Sequence, residues 1–96
     1  MLITDERHLE GLTRWAQAAQ RHGSRLWMQL NHAGRQSPRR LVGQAVAPSE
    51  IKLRGFGGAF GQPRALTGDE IAALIARFAT AARVAKAAGF AGVQVH

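Results

Sequence analysis

Apolar residues recur along this chain with two different periods, and the changes of period mark out its elements. Leu9, Leu12, Trp15, Ala16 and Ala19 fall at helical spacing, with Arg7, Arg14, Gln17 and Arg21 on the opposite side. Thr4 or Asp5 can cap this helix, the carboxylates of Asp5 and Glu6 suit the positive end of its dipole, and Gly23 stops it. A helix over 5–22 is predicted. Thr67-Gly68-Asp69-Glu70 reads as a capping box, and Ile71, Leu74, Ile75, Phe78, Ala82 and Ala85 then form one stripe as far as Gly89. A second helix is predicted over 68–88.

Each helix leads within a few residues into a β-rich run. Leu26-Trp27-Met28-Gln29-Leu30 is almost continuously apolar before it turns polar at Asn31-His32, and Ala91-Gly92-Val93-Gln94-Val95-His96 repeats the design. Such an apolar strand predicts burial on both faces and hence a parallel sheet. Between the first strand and the second helix lies a long excursion over 36–66. Its Val42 to Ile51 stretch and the cluster Gly55-Phe56-Gly57-Gly58-Ala59-Phe60-Gly61 predict a hairpin-like flap with a glycine turn, where a lid would sit. The helix–glycine–strand unit thus occurs twice, which is the local rule both of a (β/α) barrel and of a doubly wound sheet. Neither architecture closes with two strands.

Composition narrows the function more than the fold. Thirteen Lys and Arg against six Asp and Glu give +7, an excess that often marks a phosphate or nucleic-acid partner. The basic residues are dispersed, apart from Arg35, Arg39 and Arg40 and then Lys52, Arg54 and Arg64, and no aromatic is interleaved at base-stacking spacing. That distribution argues against nucleic acid. Arg39 and Arg40 beside Pro38 could touch a nicotinamide cofactor's phosphate from the flap, but an exposed basic loop is the default reading. The glycine cluster fails as a phosphate cradle, because Phe60 stands where G-x-G-x-x-G needs its third glycine. With no cysteine and four scattered histidines, neither a disulfide framework nor a metal site is proposed. No apolar leader or membrane-length run occurs, so a soluble, cytoplasmic chain is expected.

Candidate chemistry gathers where the strands turn polar. Alternate side chains of a strand share a face, so Gln29 lies with Trp27 and Asn31, and Gln94 with Gly92 and His96. These groups either line a ligand site at the C-terminal ends of adjacent strands or are polar fillers hydrogen-bonded inside a core. His32 and Arg35 are expected to fix the turn out of the first strand, with His32 donating to a backbone carbonyl and Arg35 satisfying loop oxygens.

Four blocks carry a more specific signal: Gln29-Leu30-Asn31-His32-Ala33-Gly34-Arg35-Gln36, Val46-Ala47-Pro48-Ser49, Pro63-Arg64-Ala65-Leu66-Thr67 with Glu70-Ile71, and Ala88-Gly89-Phe90-Ala91-Gly92-Val93-Gln94-Val95-His96. Their order and spacing resemble the old yellow enzyme family of FMN-dependent NAD(P)H:flavin oxidoreductases. The resemblance implies an α/β fold, a partial (β/α)8 TIM barrel of about two β/α units. Residues 1–96 would then be a fragment of an FMN-binding barrel domain, from its second helix to its fourth strand, with the flap at 36–66. It implies FMN as cofactor, NAD(P)H as reductant, and an enone or nitro-type small molecule as hydride acceptor. It also implies that Gln29 binds the pyrimidine edge of the flavin and that His96 is catalytic, as the first of a His-x-x-His/Asn pair that holds the substrate oxygen.

The resemblance spans nearly the whole chain but only about a quarter of a barrel of roughly 250 residues or more. The second member of the pair, the Tyr proton donor and the phosphate-binding loops have no counterpart in it, and the chain contains no Tyr. By itself it is therefore expected neither to bind FMN tightly nor to turn over. A small basic phosphate- or nucleic-acid-binding module and a non-functional truncated remnant are the alternatives, and substrate identity, NADH against NADPH and oligomeric state are left open by the residues.

Overall fold

The computed structural model describes residues 3–96, in two compact units that divide at 31/32 and 73/74. The first unit comprises residues 3–31 and 74–96. Its chain opens with a 3-10 turn, Glu6–His8, capped by Asp5, whose carboxylate accepts the Arg7 N–H at 3.0 Å. This runs into helix α1, Leu9–Gln20, which ends earlier than the predicted 22. Strand β1, Trp27–Leu30, pairs in parallel with strand β4, Gly92–Val95. Strand β2, Val46–Ala47, strand β3, Arg64–Ala65, and the start of helix α2, Gly68–Ala87, fall in the other unit.

Two glycines explain how each helix turns into its strand. Gly23 and Gly89 adopt φ of +86° and +88°, and each donates its N–H to a carbonyl of the preceding helix, Gln20 and Lys86 respectively. Such left-handed positions close a helix at no steric cost only when a Cβ is missing. Gln20 then ties the two turns together. Its Nε2 donates to the carbonyls of Ala16 at 3.1 Å and Gly89 at 2.9 Å, while its Oε1 accepts the Leu26 N–H at 3.2 Å.

The core of this unit sits on one side of the two strands. Met28 and Leu30 of β1 pack with Leu12 and Ala16 of α1, with Ala81, Val84 and Ala85 of α2, and with Ala88 and Phe90. Burial of side chains the size of Met and Leu is worth about 1.5–3 kcal/mol each. The expectation of burial on both faces of the first strand is corrected: Trp27 and Gln29 are exposed, because both helices cover the same side. The predicted α2 stripe is corrected as well. Ile71 and Ile75 are exposed, and the buried row begins at Ala81, since only the C-terminal half of α2 meets this core.

The second unit, residues 32–73, holds the excursion. Strand β2, Val46–Ala47, and strand β3, Arg64–Ala65, pair in parallel around buried Ala45, Ala47 and Pro63. A hairpin-like flap is therefore not what forms. Residues 48–63 loop out and return before pairing, so the two strands point the same way; the one antiparallel contact among the described residues is the Pro38–Phe60 bridge. The glycine turn is present: Gly55, Phe56, Gly57 and Gly58 all take left-handed φ values. The capping box forms as predicted, with the Thr67 N–H donating to Glu70 at 2.8 Å and the Glu70 N–H donating to the Thr67 hydroxyl at 3.2 Å.

Candidate active-site face on the parallel strand pair

The register of β1 against β4 sets Trp27 beside Gly92, Met28 beside Val93, Gln29 beside Gln94 and Leu30 beside Val95. Two further backbone hydrogen bonds prolong the ladder, from the Ala91 N–H to the Leu26 carbonyl at 2.9 Å and from the His96 N–H to the Leu30 carbonyl at 2.8 Å. Because side chains alternate, the face turned from the core carries three layers: Trp27 with Gly92, Gln29 with Gln94, and Asn31 with His96.

The layers differ in chemistry from one end to the other. At the N-terminal end the indole of Trp27 lies against the Gly92 backbone, so closely that a Cβ there would stand 2.9 Å from two ring carbons. Above it the carboxamides of Gln29 and Gln94 are exposed, each offering a donor and an acceptor. Within these residues neither is a buried filler. At the C-terminal end the His96 Nδ1 lies 3.3 Å from the Asn31 Oδ1. A flat aromatic floor, a row of amides and an imidazole can together receive a planar ring and hydrogen-bond its edge. The structure thus puts Gln29 and His96 on one face of neighbouring parallel strands.

The other histidine and arginine candidates sit elsewhere. His32 accepts the Gly34 N–H at its Nδ1, 3.2 Å away, and donates to no carbonyl among the described residues, so it closes the turn as an acceptor where a donor is expected. Arg35 does satisfy a loop oxygen, that of Ile51 at 3.4 Å. Arg39 and Arg40 are exposed. Arg64 forms a two-pronged ion pair with Glu70 at 2.7 and 2.8 Å. This guanidinium, with the Thr67 N–H beside it, holds the Glu70 carboxyl down at about 2, and the Arg7 guanidinium likewise holds Asp5 at about 2. No helix among the described residues is long and apolar enough to cross a membrane.

Comparison with known proteins decides which barrel these strands come from. The model of the NADH:flavin oxidoreductase / NADH oxidase family matches residues 1–96. The chain belongs to this family. Among curated members, a metal reductase of Desulforamulus reducens is 44% identical across 97% of the chain and 14% of its own length. An NADH-dependent flavin oxidoreductase of a Neonectria species is 36% identical, over 98% and 14%. An old yellow enzyme homologue of known structure from Zymomonas mobilis superposes with a TM-score of 0.83 at 37% identity, covering 98% of this chain and 28% of that one. In this chain the α/β architecture is accordingly part of a (β/α)8 barrel. The chain spans less than a third of the length of these relatives.

Sequence reasoning missed one residue of this framework and half-read another. Gln20 had no signal in the apolar periodicity, since its role depends on Gly89, far along the chain. Asn31 was placed on the face by alternation, but its contact with His96 required the register.

Proposed function

We propose that this chain forms one wall of an FMN site in an NAD(P)H-dependent flavin oxidoreductase of the ene-reductase or NADH-oxidase type. The observation that carries the reading is the shared open face of β1 and β4, with the Gln29 carboxamide one layer below His96. The donor set fits the cofactor: a primary amide matches a pyrimidine edge that both donates and accepts. When bound, FMN supplies the relay of hydride from NAD(P)H to an activated alkene. Gln29 fixes the ring edge. His96 donates to the carbonyl or nitro oxygen of an enone or nitro-type small molecule, draws electron density from the alkene, and stabilises the charge that develops on that oxygen. NAD(P)H is an intracellular metabolite, and the cytoplasm is the compartment proposed.

Grafting supplies the test. This chain replaces the matching segment of the Zymomonas mobilis old yellow enzyme homologue, and the hybrid is assayed for flavin content and for enone-dependent oxidation of NADH and NADPH. A flavin-loaded, active hybrid is expected. His96→Ala should retain flavin and lose about 10²- to 10³-fold in kcat/KM, the usual cost of removing one donor to a developing oxyanion. Gln29→Ala should weaken flavin binding about tenfold or less, the worth of a hydrogen bond or two. Full turnover in His96→Ala would refute the assignment. The 96-residue chain alone should neither bind FMN tightly nor turn over.

A further inference from the structure

Of the three layers on the open face, only the last joins two polar side chains directly. Asn31 and His96 lie on different strands, both exposed, and are brought side by side by the bond from the His96 N–H to the Leu30 carbonyl. We propose that Asn31 is a positioning residue for His96, its carboxamide oxygen holding the imidazole with hydrogen on Nδ1 and with Nε2 directed away from Asn31. The inference rests on the reading of His96 as the group that meets the substrate oxygen.

A carboxamide oxygen can only accept, so its 3.3 Å contact with Nδ1 requires the hydrogen to be on that nitrogen. In the neutral ring the lone pair then belongs to Nε2, which accepts from the hydroxyl of a phenol or enol. In the imidazolium form both nitrogens donate: Nδ1–H stays on Asn31 while Nε2–H reaches a carbonyl or an oxyanion. The contact thus fixes which nitrogen faces the ligand in both protonation states, and the donation to a carbonyl or nitro oxygen asked of His96 is made by the imidazolium form. Without it an exposed imidazole rotates freely and favours hydrogen on Nε2. With the carboxamide turned over, its NH2 would donate to Nδ1 and force the hydrogen onto Nε2, the opposite arrangement.

Nitrogen-15 spectra of the imidazoles in the full 96-residue chain distinguish these cases, recorded where the rings are neutral. Long-range proton couplings report which ring nitrogen carries hydrogen, and exposed His8 and His22 serve as internal references for the Nε2–H form. His96 should show hydrogen on Nδ1. Asn31→Ala should return it to the Nε2–H pattern of the references, and Asn31→Asp, which keeps an acceptor at the same place, should preserve the Nδ1–H form. Hydrogen on Nε2 of His96 in the unsubstituted chain overturns the proposal, as does an unchanged His96 pattern in Asn31→Ala. Absence of the Leu30–His96 ladder bond in solution overturns it too. The tautomer is read without cofactor or substrate, so its failure is separate from that of the functional reading. An Nδ1–H ring combined with grafted activity indifferent to His96→Ala would sink the catalytic role and support the contact; an Nε2–H ring with activity lost on that substitution would do the reverse.

Discussion

Replacing Gly92 with alanine sets two effects of opposite sign against each other. The backbone at Gly92 is that of a strand, so a Cβ there meets no torsional penalty, and the loss of glycine freedom in the unfolded chain should stabilise by about 0.4–1 kcal/mol. Opposing this, the new Cβ would stand 2.9 Å from Cδ2 and Cε2 of Trp27 and 3.0 Å from Cε3. Carbon atoms prefer about 3.5–4.0 Å, so the indole must withdraw by about half an ångström or swing off the face. Overpacking of this kind costs about 1–3 kcal/mol. Trp27 is 61% exposed and has room to move, which puts the cost toward the lower end and the net loss at about 0.5–2 kcal/mol. The same substitution made in Trp27→Ala should change sign and stabilise by about 0.4–1 kcal/mol. The coupling between the two positions is then about 1 kcal/mol or more, beyond the roughly 0.3–0.5 kcal/mol scatter of independent sites. Urea unfolding followed by the circular dichroism of the helices measures all four chains. A Gly92→Ala chain that is neutral or stabilised with Trp27 present would show that the indole does not rest on that backbone.

Two further outcomes follow from other contacts. Gln20→Ala removes three hydrogen bonds that tie the ends of α1 and α2 to the start of β1, and should lower stability by about 1–3 kcal/mol in the same urea experiment, with unchanged helix content in the folded state. The depressed Glu70 carboxyl predicts a pH effect whose sign is set by its direction: the folded state binds the proton less readily than the unfolded one. The contribution is present above the ordinary carboxylate range and is lost as pH falls toward about 2. Glu70→Gln keeps an oxygen for the Thr67 N–H but loses the Arg64 pair, and should flatten that part of the acid-unfolding profile while leaving the part due to Asp5.

Local chemistry made much of this fold legible. Capping at Thr67 and Glu70 and helix closure at Gly23 and Gly89 depend on residues a few positions apart, and the parallel pairing of the two strands follows from the repeated helix–glycine–strand order and not from burial on both faces, which β1 lacks here. Where the reading failed, the deciding partner was distant or shared. Val46 and Arg64 pair in parallel because of the path of the residues between them, which no turn motif encodes. Ile71 and Ile75 have the helical spacing of a core stripe, yet spacing cannot tell which turns of a helix meet a sheet. At the site, alternation was enough to group Gln29 with Asn31 and Gln94 with His96; joining the two groups needed the cross-strand register.

Nuclear Overhauser contacts across β1 and β4 test that joining most directly. Contacts are predicted from the Trp27 indole to the Gly92 Hα, from the Gln29 to the Gln94 side chain, and from the Asn31 side-chain amide to the His96 ring, all in one spectrum. Close Hα–Hα contacts of an antiparallel pair, or Gln29 and His96 meeting the protons of opposite faces, would contradict the shared face on which the function is built.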